Sequence, residues 1–169
     1  GVSLVLNSSR PRASVLRTLE RFPSGLRIDG MITALGTEIL LDGADLAEWS
    51  AGFRGWSRRP VDQLMERAGM PAHASEFQTA LKASFSVPRA RWQELSREVL
   101  AIAPGSRVIL SGESDFDVIP AAAGKDRAML WLARHLGIPP ERLVVSGDSG
   151  NDLAMFDASP RAIAVAGTT

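Results

Sequence analysis

Hydrophobic and polar positions along the chain predict strands and helices that follow one another in turn. Short apolar runs at 2–7 and 142–147 are typical of buried strands. Apolar residues at helical spacing predict helices over 11–22, 88–102 and 124–136. Because strand and helix alternate at both ends of the chain, the pattern predicts a parallel sheet flanked by helices.

The pattern in the middle of the chain predicts a unit with a different arrangement of strands and helices. Residues 51–116 have the pattern of a smaller α+β unit inserted into a core made of residues 1–50 and 117–169. Short strands are predicted over 26–41, with a turn at Asp29-Gly30 and a hairpin at 36–43, and helical pieces over 44–70 are broken at Gly52, Gly55 and Pro60. Further strands are predicted at 80–87, 103–112 and 115–120. A helix is predicted to start at 151–156, and a last strand follows at 161–167.

The composition narrows the classes of function. With 45% hydrophobic and 22% charged residues, the 169-residue chain has the composition of a globular protein. Its 19 basic and 19 acidic residues balance, so no strong field points to nucleic acid or to a membrane surface. The absence of cysteine excludes disulfides and thiolate metal sites. No signal-peptide pattern is present, and we therefore expect a cytoplasmic protein.

Two aspartates four residues apart follow the strand predicted at 142–147. In sheets of this kind, ligands bind beyond the carboxyl ends of the strands. Asp148 and Asp152 would repel each other there unless a cation or a lysine joined them. Mg²⁺ binds to one or two carboxylates together with phosphate, which suits this position. The alternative is that Asp152 only caps the next helix while Asp148 is solvated.

Two further stretches lie at helix starts. The first strand is separated from the helix that follows it by Ser8, Ser9 and Arg10, which form a candidate anion-binding site. The more frequent role of a serine at such a position is an ordinary helix N-cap. Lys125 begins the helix at 124–136 and is one of only two lysines, the other being Lys82. A compact ammonium can meet an oxyanion in a tight space, whereas the usual alternative is a solvated surface lysine.

The four candidate residues each lie just past a predicted strand or at the start of a predicted helix, and along the chain they are Ser8, Lys125, Asp148 and Asp152. With "LVLNSSR", "AAAGKDRAM" and "VVSGDSGND" as its hydroxyl, lysine and acidic motifs, the chain resembles the haloacid dehalogenase superfamily of phosphotransferases. "LGTEI", "LKASFSV", "VILSGESDFDVIPAAAGK" and "GDSGNDLAMF" are similar to its sucrose-phosphatase branch, which includes mannosylfructose-phosphate phosphatases. The resemblance implies a doubly wound, mainly parallel Rossmann-like core with a small α+β cap between the Ser motif and the Lys motif.

The resemblance also implies roles for single residues. Ser8 would bind the phosphoryl group, Lys125 would neutralise its charge, Asp148 would hold Mg²⁺, and Asp152 would support the metal and orient Lys125. The substrate-side candidates are Ser9, Arg10, Glu38, Lys82, Asp117 and Asn151. The implied activity is Mg²⁺-dependent removal of phosphate from a sugar phosphate, such as the disaccharide phosphate sucrose 6-phosphate.

One part of the family pattern is missing. The first motif of the superfamily, Asp-x-Asp-Gly-Thr, supplies the nucleophile, and the sole Asp-x-Asp here is Asp115-Phe116-Asp117, followed by Val-Ile-Pro. We therefore expect the nucleophile to lie outside this chain, in a longer protein, and the chain to be inactive alone. The alternative is a non-catalytic binding or scaffold domain associated with a sucrose-phosphate-synthase-type glycosyltransferase. A phospho-receiver domain is disfavoured, because receivers lack a cap between their motifs.

Overall fold

The structure is a computed structural model that describes residues 2–22, 25 and 27–165. The strands are β1 (Val5–Asn7), β2 (Gly30–Thr33), β3 (Glu38–Leu41), β4 (Ala44–Asp45), β5 (Ala83–Ser86), β6 (Ser106–Ser111), β7 (Asp115–Pro120), β8 (Val145–Gly147) and β9 (Ala162–Ala164). The helices are α1 (Arg12–Leu19), α2 (Ala47–Ala51), α3 (Arg59–Arg67), α4 (Trp92–Ile102), α5 (Lys125–His135) and α6 (Leu153–Ala158). Residue 26 of the predicted short strands and residues 166–167 of the last predicted strand lie outside the described residues, as do residues 23 and 24.

Two parallel strand pairs confirm the predicted α/β class. β1 pairs in parallel with β2, and α1 lies between them along the chain. β8 pairs in parallel with β9, with α6 between them. The hairpin strands β3 and β4 extend the first pair antiparallel, in the order β1-β2-β3-β4. Parallel strands need a crossover connection, which explains why helices separate the members of each pair.

The inserted unit is an antiparallel sheet with the order β5-β7-β6, covered on one face by α3 and α4. Phe116 and Val118 of β7 pack against Leu95 and Val99 of α4, and all four side chains are fully buried. β7 continues to Pro120 within this sheet. The exact domain boundaries, at 50/51 and 116/117, stay predictions.

A second buried cluster joins the inserted sheet to the core. It contains Ile32 and Ile39 of β2 and β3, Trp49 of α2, Ile119 of β7 and Leu132 of α5. Because β7 leads through a short loop into α5, this packing holds the first turn of α5 against the hairpin of β2 and β3. Within the described ranges, no helix is long and apolar enough to cross a membrane.

Some predicted element boundaries were wrong. The first strand covers residues 5–7 rather than 2–7, and the strand predicted at 142–147 begins at Val145, because residues 140–142 form a 3₁₀ turn. Pro60 does not break a helix but lies in the first turn of α3. Proline is tolerated there because the first backbone N–H groups of a helix have no intrahelical partner.

Candidate active site

A buried ion pair joins the lysine and acidic motifs. Lys125, the first residue of α5, donates from Nζ to Oδ1 of Asp152 and to Oδ1 of Asn151, the latter at 3.1 Å. Lys125 is 6% exposed and Asp152 is 3% exposed. The structure therefore brings together three residues that the sequence places 26 and 27 positions apart.

The loop after β8 is built around the other oxygen of Asp152. Asp152 Oδ2 accepts hydrogen bonds from the backbone N–H groups of Asp148 and Ser149, at 3.1 and 3.2 Å, and from Ser149 Oγ at 3.1 Å. A Cβ on Gly147 would lie 2.7 Å from the Asp152 side chain, so glycine leaves the room that this carboxylate occupies. Asp152 thus caps the turn at Gly150–Asp152 and also holds Lys125.

The surroundings of Asp152 favour its ionised form. Burial by itself raises the pKa of the Asp152 carboxyl group. The hydrogen bond from Lys125, the charge of that ammonium, and the two backbone N–H groups lower it by more, so the pKa of Asp152 lies below its ordinary value of 3.8. Asp152 is therefore a fixed negative charge at neutral pH.

Asp148 has the free carboxylate of the loop. Its side chain is exposed and makes no hydrogen bond or ion pair within the described part of the chain, whereas both oxygens of Asp152 are already engaged. No group of three or more His, Cys, Asp or Glu side chains suited to a metal occurs among the described residues. Mg²⁺ takes one or two carboxylates together with phosphate and water, so Asp148 fits as a single protein ligand from this chain.

The loop after β1 joins that strand to α1 and contains Ser8, Ser9 and Arg10. Ser8 N donates to Ile32 O at 2.8 Å, and Ser8 Oγ accepts from Arg10 N at 3.1 Å. Ser9 is half-buried, and its backbone N–H makes no hydrogen bond to any residue that the structure describes. The Arg10 side chain is exposed. This arrangement leaves a free backbone donor beside the start of a helix, as an anion-binding site requires.

Asn7 is a site residue that the sequence analysis missed. Its Nδ2 donates to Lys125 O at 3.0 Å and lies 3.0 Å from Met155 Sδ, so it ties the end of β1 to α5 and α6. Its Oδ1 is buried and has no hydrogen-bond partner among the described residues. A polar residue at the last position of a buried strand, directly before Ser8, is the signal that could have identified it.

The remaining substrate-side candidates lie in two other groups. Lys82 and Asp117 form a buried ion pair in the inserted sheet, with 3.3 Å between Nζ and Oδ1, and Ser84 Oγ also donates to that carboxylate. Glu38 accepts hydrogen bonds from Thr33 Oγ1 and from Arg12 N at the start of α1. These three side chains are held by protein partners, and their contact with a substrate stays a prediction.

Comparison with known proteins gives matches over nearly the whole chain. The profile of the family described as sucrose-6F-phosphate phosphohydrolase matches residues 1–169. Mannosylfructose-phosphate phosphatase of Agrobacterium fabrum is 32% identical over 163 residues, which cover 91% of this chain and 64% of that protein. Probable sucrose-phosphatase 2 of Arabidopsis thaliana is 29% identical over 167 residues, which cover 91% of this chain and 39% of that protein. The chain therefore spans less than two thirds of the length of these relatives.

Solved structures show the same fold. The sucrose-phosphatase of Synechocystis sp. PCC6803, solved in complex with sucrose and phosphate, superposes with a TM-score of 0.84 at 23% identity, covering 99% of this chain and 70% of that one. A sugar phosphatase of haloacid dehalogenase subclass IIB superposes with a TM-score of 0.74 at 17% identity. At these identities the likeness concerns the fold alone, and it confirms the expected core with an inserted cap.

Proposed function

The chain belongs to the sucrose-6F-phosphate phosphohydrolase family, and from this premise we propose that it forms most of the core and the cap of a phosphatase that acts on a sugar phosphate. The observation that carries the proposal is the buried Lys125, held by Asp152 and Asn151 of the loop that also contains Asp148. A buried ammonium is costly to keep unless it is paired and used.

Lys125 would bind the phosphoryl group of the substrate. An ammonium has three N–H donors, and two of them are taken by Asp152 and Asn151. The third donor is available for a phosphoryl oxygen. Ser8 and the backbone N–H of Ser9 would supply further donors, which offset the negative charge that develops during phosphoryl transfer.

Asp148 would hold Mg²⁺. When bound there, the metal would neutralise charge on the phosphoryl oxygens. Asp152 was also expected to bind the metal, but both of its oxygens are used by Lys125 and the loop backbone. We therefore propose Asp148 as the ligand, and Asp152 as the residue that fixes the positions of Lys125 and of the Asp148 backbone.

A groove between β1 and β8 is where we propose that the nucleophile enters. It has a volume of about 420 Å³ and is lined mainly by apolar residues in β1, α5 and β8 and in the segments next to them. Successive backbone N–H groups of a strand point to opposite sides of it. Ser8 N donates to Ile32 O in β2, and Val145 N donates to Arg161 O beside β9. The N–H groups of the neighbouring residues Asn7 and Ser146 therefore point the other way, toward the groove. We propose that a parallel strand from outside residues 1–169 fills this groove and carries the nucleophilic aspartate.

The substrate would be held between the core and the cap. A phosphorylated disaccharide such as sucrose 6-phosphate would place its phosphate at Lys125, with Arg10, Glu38, Lys82 and Asp117 as candidate contacts for the sugar. The proposal includes dependence on Mg²⁺, a cytoplasmic location and a disaccharide phosphate as the substrate.

Hydrolysis by the full-length protein tests the proposal. With Mg²⁺ present, we expect phosphate release from sucrose 6-phosphate or a related disaccharide phosphate. Asp148→Ala should abolish this release, whereas Asp157→Ala, at an exposed aspartate of α6, should leave it unchanged. A full-length protein that hydrolyses no sugar phosphate would refute the proposed activity.

A binding module remains the second candidate, because this chain has no Asp-x-Asp-Gly-Thr motif and its one Asp-x-Asp lies within β7. In that role the domain would dock a glycosyltransferase or bind its phosphorylated product. Calorimetric titration of the full-length protein with sucrose 6-phosphate separates the two functions, because the module requires binding without turnover.

A further inference from the structure

The turn at residues 34–36 has an unusual backbone. Ala34, Leu35 and Gly36 have φ values of 48°, 58° and 83°, all in the left-handed region. This conformation is uncommon for residues with a Cβ, and Ala34 and Leu35 are both 0% exposed. Strained, fully buried backbone persists only where its surroundings hold it, and it concentrates at functional sites.

One side of this turn holds the Ser8 loop. Ala34 N donates to Arg10 O at 2.8 Å, and Leu35 N donates to Ser8 O at 3.2 Å. Consecutive left-handed residues turn both N–H groups toward the same loop. The carbonyls of Ser8 and Arg10 are thereby drawn to the turn, while the Ser9 N–H is left without a protein partner among the described residues.

The other side of the turn touches the residues around Lys125. A Cβ built on Gly36 would lie 2.2 Å from Gly124 O and 2.9 Å from Lys125 N, so the two backbones are in direct contact. Trp49 Nε1 donates to Gly36 O at 2.9 Å and ties Gly36 to α2. This bond and the contact with Gly124 and Lys125 together fix the position of Gly36, and a larger residue cannot fit there.

We propose that residues 34–36 act as a positioning turn that sets the separation between the Ser8 loop and Lys125. The inference builds on the proposed function, since these two groups are the donors assigned to the phosphoryl group. Neither Ala34, Leu35 nor Gly36 touches the substrate in this role. They act through the two elements between which they are packed.

Gly36→Ala and Gly43→Ala form a matched pair for testing the turn. Gly43, in the turn between β3 and β4, has a φ of 80°, close to that of Gly36, but a Cβ there meets no atom within 4 Å. Both substitutions impose the same left-handed strain, and only Gly36→Ala pushes Lys125 away from the Ser8 loop. The affinity for inorganic phosphate, measured in the full-length protein with Mg²⁺, should fall about tenfold or more in Gly36→Ala and little in Gly43→Ala.

Amide NMR spectra without phosphate provide the second readout. Gly36→Ala should shift the signals of both Ser8–Arg10 and Lys125–Asp126, and Gly43→Ala should shift neither. Unshifted signals in Gly36→Ala would overturn the positioning turn, whatever the phosphate affinity. If the wild-type protein binds no phosphate, the proposed function fails, and these spectra still decide on the turn.

Trp49→Phe keeps the test valid if Gly36→Ala does not fold. It removes the bond to Gly36 O and preserves most of the packing. Trp56→Phe is its control, because Trp56 Nε1 donates to Ser106 Oγ in the inserted sheet at the same distance of 2.9 Å. Trp49→Phe should shift the Lys125 signal and weaken phosphate binding, and Trp56→Phe should do neither. Equal effects of the two variants would count against the turn.

Discussion

At the scale of single residues, Lys125 and Asp152 depend on each other for burial. Asp152→Asn keeps the shape of the side chain but leaves a buried ammonium without its charged partner. Removing one member of a buried pair costs about 3–5 kcal/mol, so the free energy of unfolding should fall by that amount. Urea unfolding at neutral pH measures it. Asp157→Asn, at an exposed position, should change stability by less than about 0.5 kcal/mol, and equal losses would contradict the assigned pairing.

The same carboxylate predicts how stability depends on pH. Because the pKa of Asp152 is lower in the folded protein than its ordinary value of 3.8, its ionisation favours the folded state. This contribution to stability is fully present above the pKa that Asp152 has in the unfolded chain. It is lost as the pH falls through the pKa that Asp152 has in the folded protein. The stability difference between wild type and Asp152→Asn should therefore be constant from neutral pH to about pH 5 and shrink below that. Urea unfolding across that range checks this, and a difference that grew on acidification would have the wrong sign.

The sequence predicted some residue contacts and not others, for a physical reason. Lys125, Asp148 and Asp152 follow strand ends or begin helices, and the carboxyl ends of parallel strands meet at one edge, so their proximity could be predicted. The pair of Lys82 and Asp117 depends on the register of an antiparallel sheet, which a single sequence leaves open. The resemblance implies that these two side chains contact the substrate, which stays a prediction, and in the structure they form an ion pair with each other.

At the scale of elements, α4 should stabilise the inserted unit through one face. Leu95 is 0% exposed and packs in the cluster under the antiparallel sheet, whereas Leu100 on the same helix is 43% exposed. Leu95→Ala should lower the free energy of unfolding by about 2–5 kcal/mol, because it leaves a cavity in the core. Leu100→Ala makes the same chemical change in the same helix and should cost clearly less. Thermal or urea unfolding compares the two, and similar losses would mean that α4 packs differently.

Helices were easier to predict than strand ends for a related reason. The apolar spacing of α4 and α5 fixed their existence and nearly their bounds, because a helix face is a local pattern. The short β1 and β8 were predicted longer than they are, since an apolar run does not show where pairing stops. The left-handed turn at Ala34–Gly36 had no sequence signal at its first two positions, which are not glycine.

At the scale of the whole molecule, the two parallel pairs are separate sheets in the described residues, and the groove between β1 and β8 divides them. The groove has an apolar lining, and Asn7 Oδ1 beside it is buried without a partner among the described residues, which are features that the proposed strand would satisfy. The proposed upstream strand would join both pairs into one parallel sheet and place its own carboxyl end beside Lys125.

Hydrogen exchange tests this completion of the sheet directly. In the chain of residues 1–169, the groove-side amides of Asn7 and Ser146 should exchange fast, because no backbone acceptor from the described residues bonds to them. In the full-length protein, a strand in the groove should protect both by at least about tenfold. The amides of Ser8 and Val145 are the internal controls, since they already donate to Ile32 O and Arg161 O on the other sides of the same strands. If Asn7 and Ser146 gain no more protection than these controls, no strand occupies the groove and the nucleophile must reach Lys125 by another route.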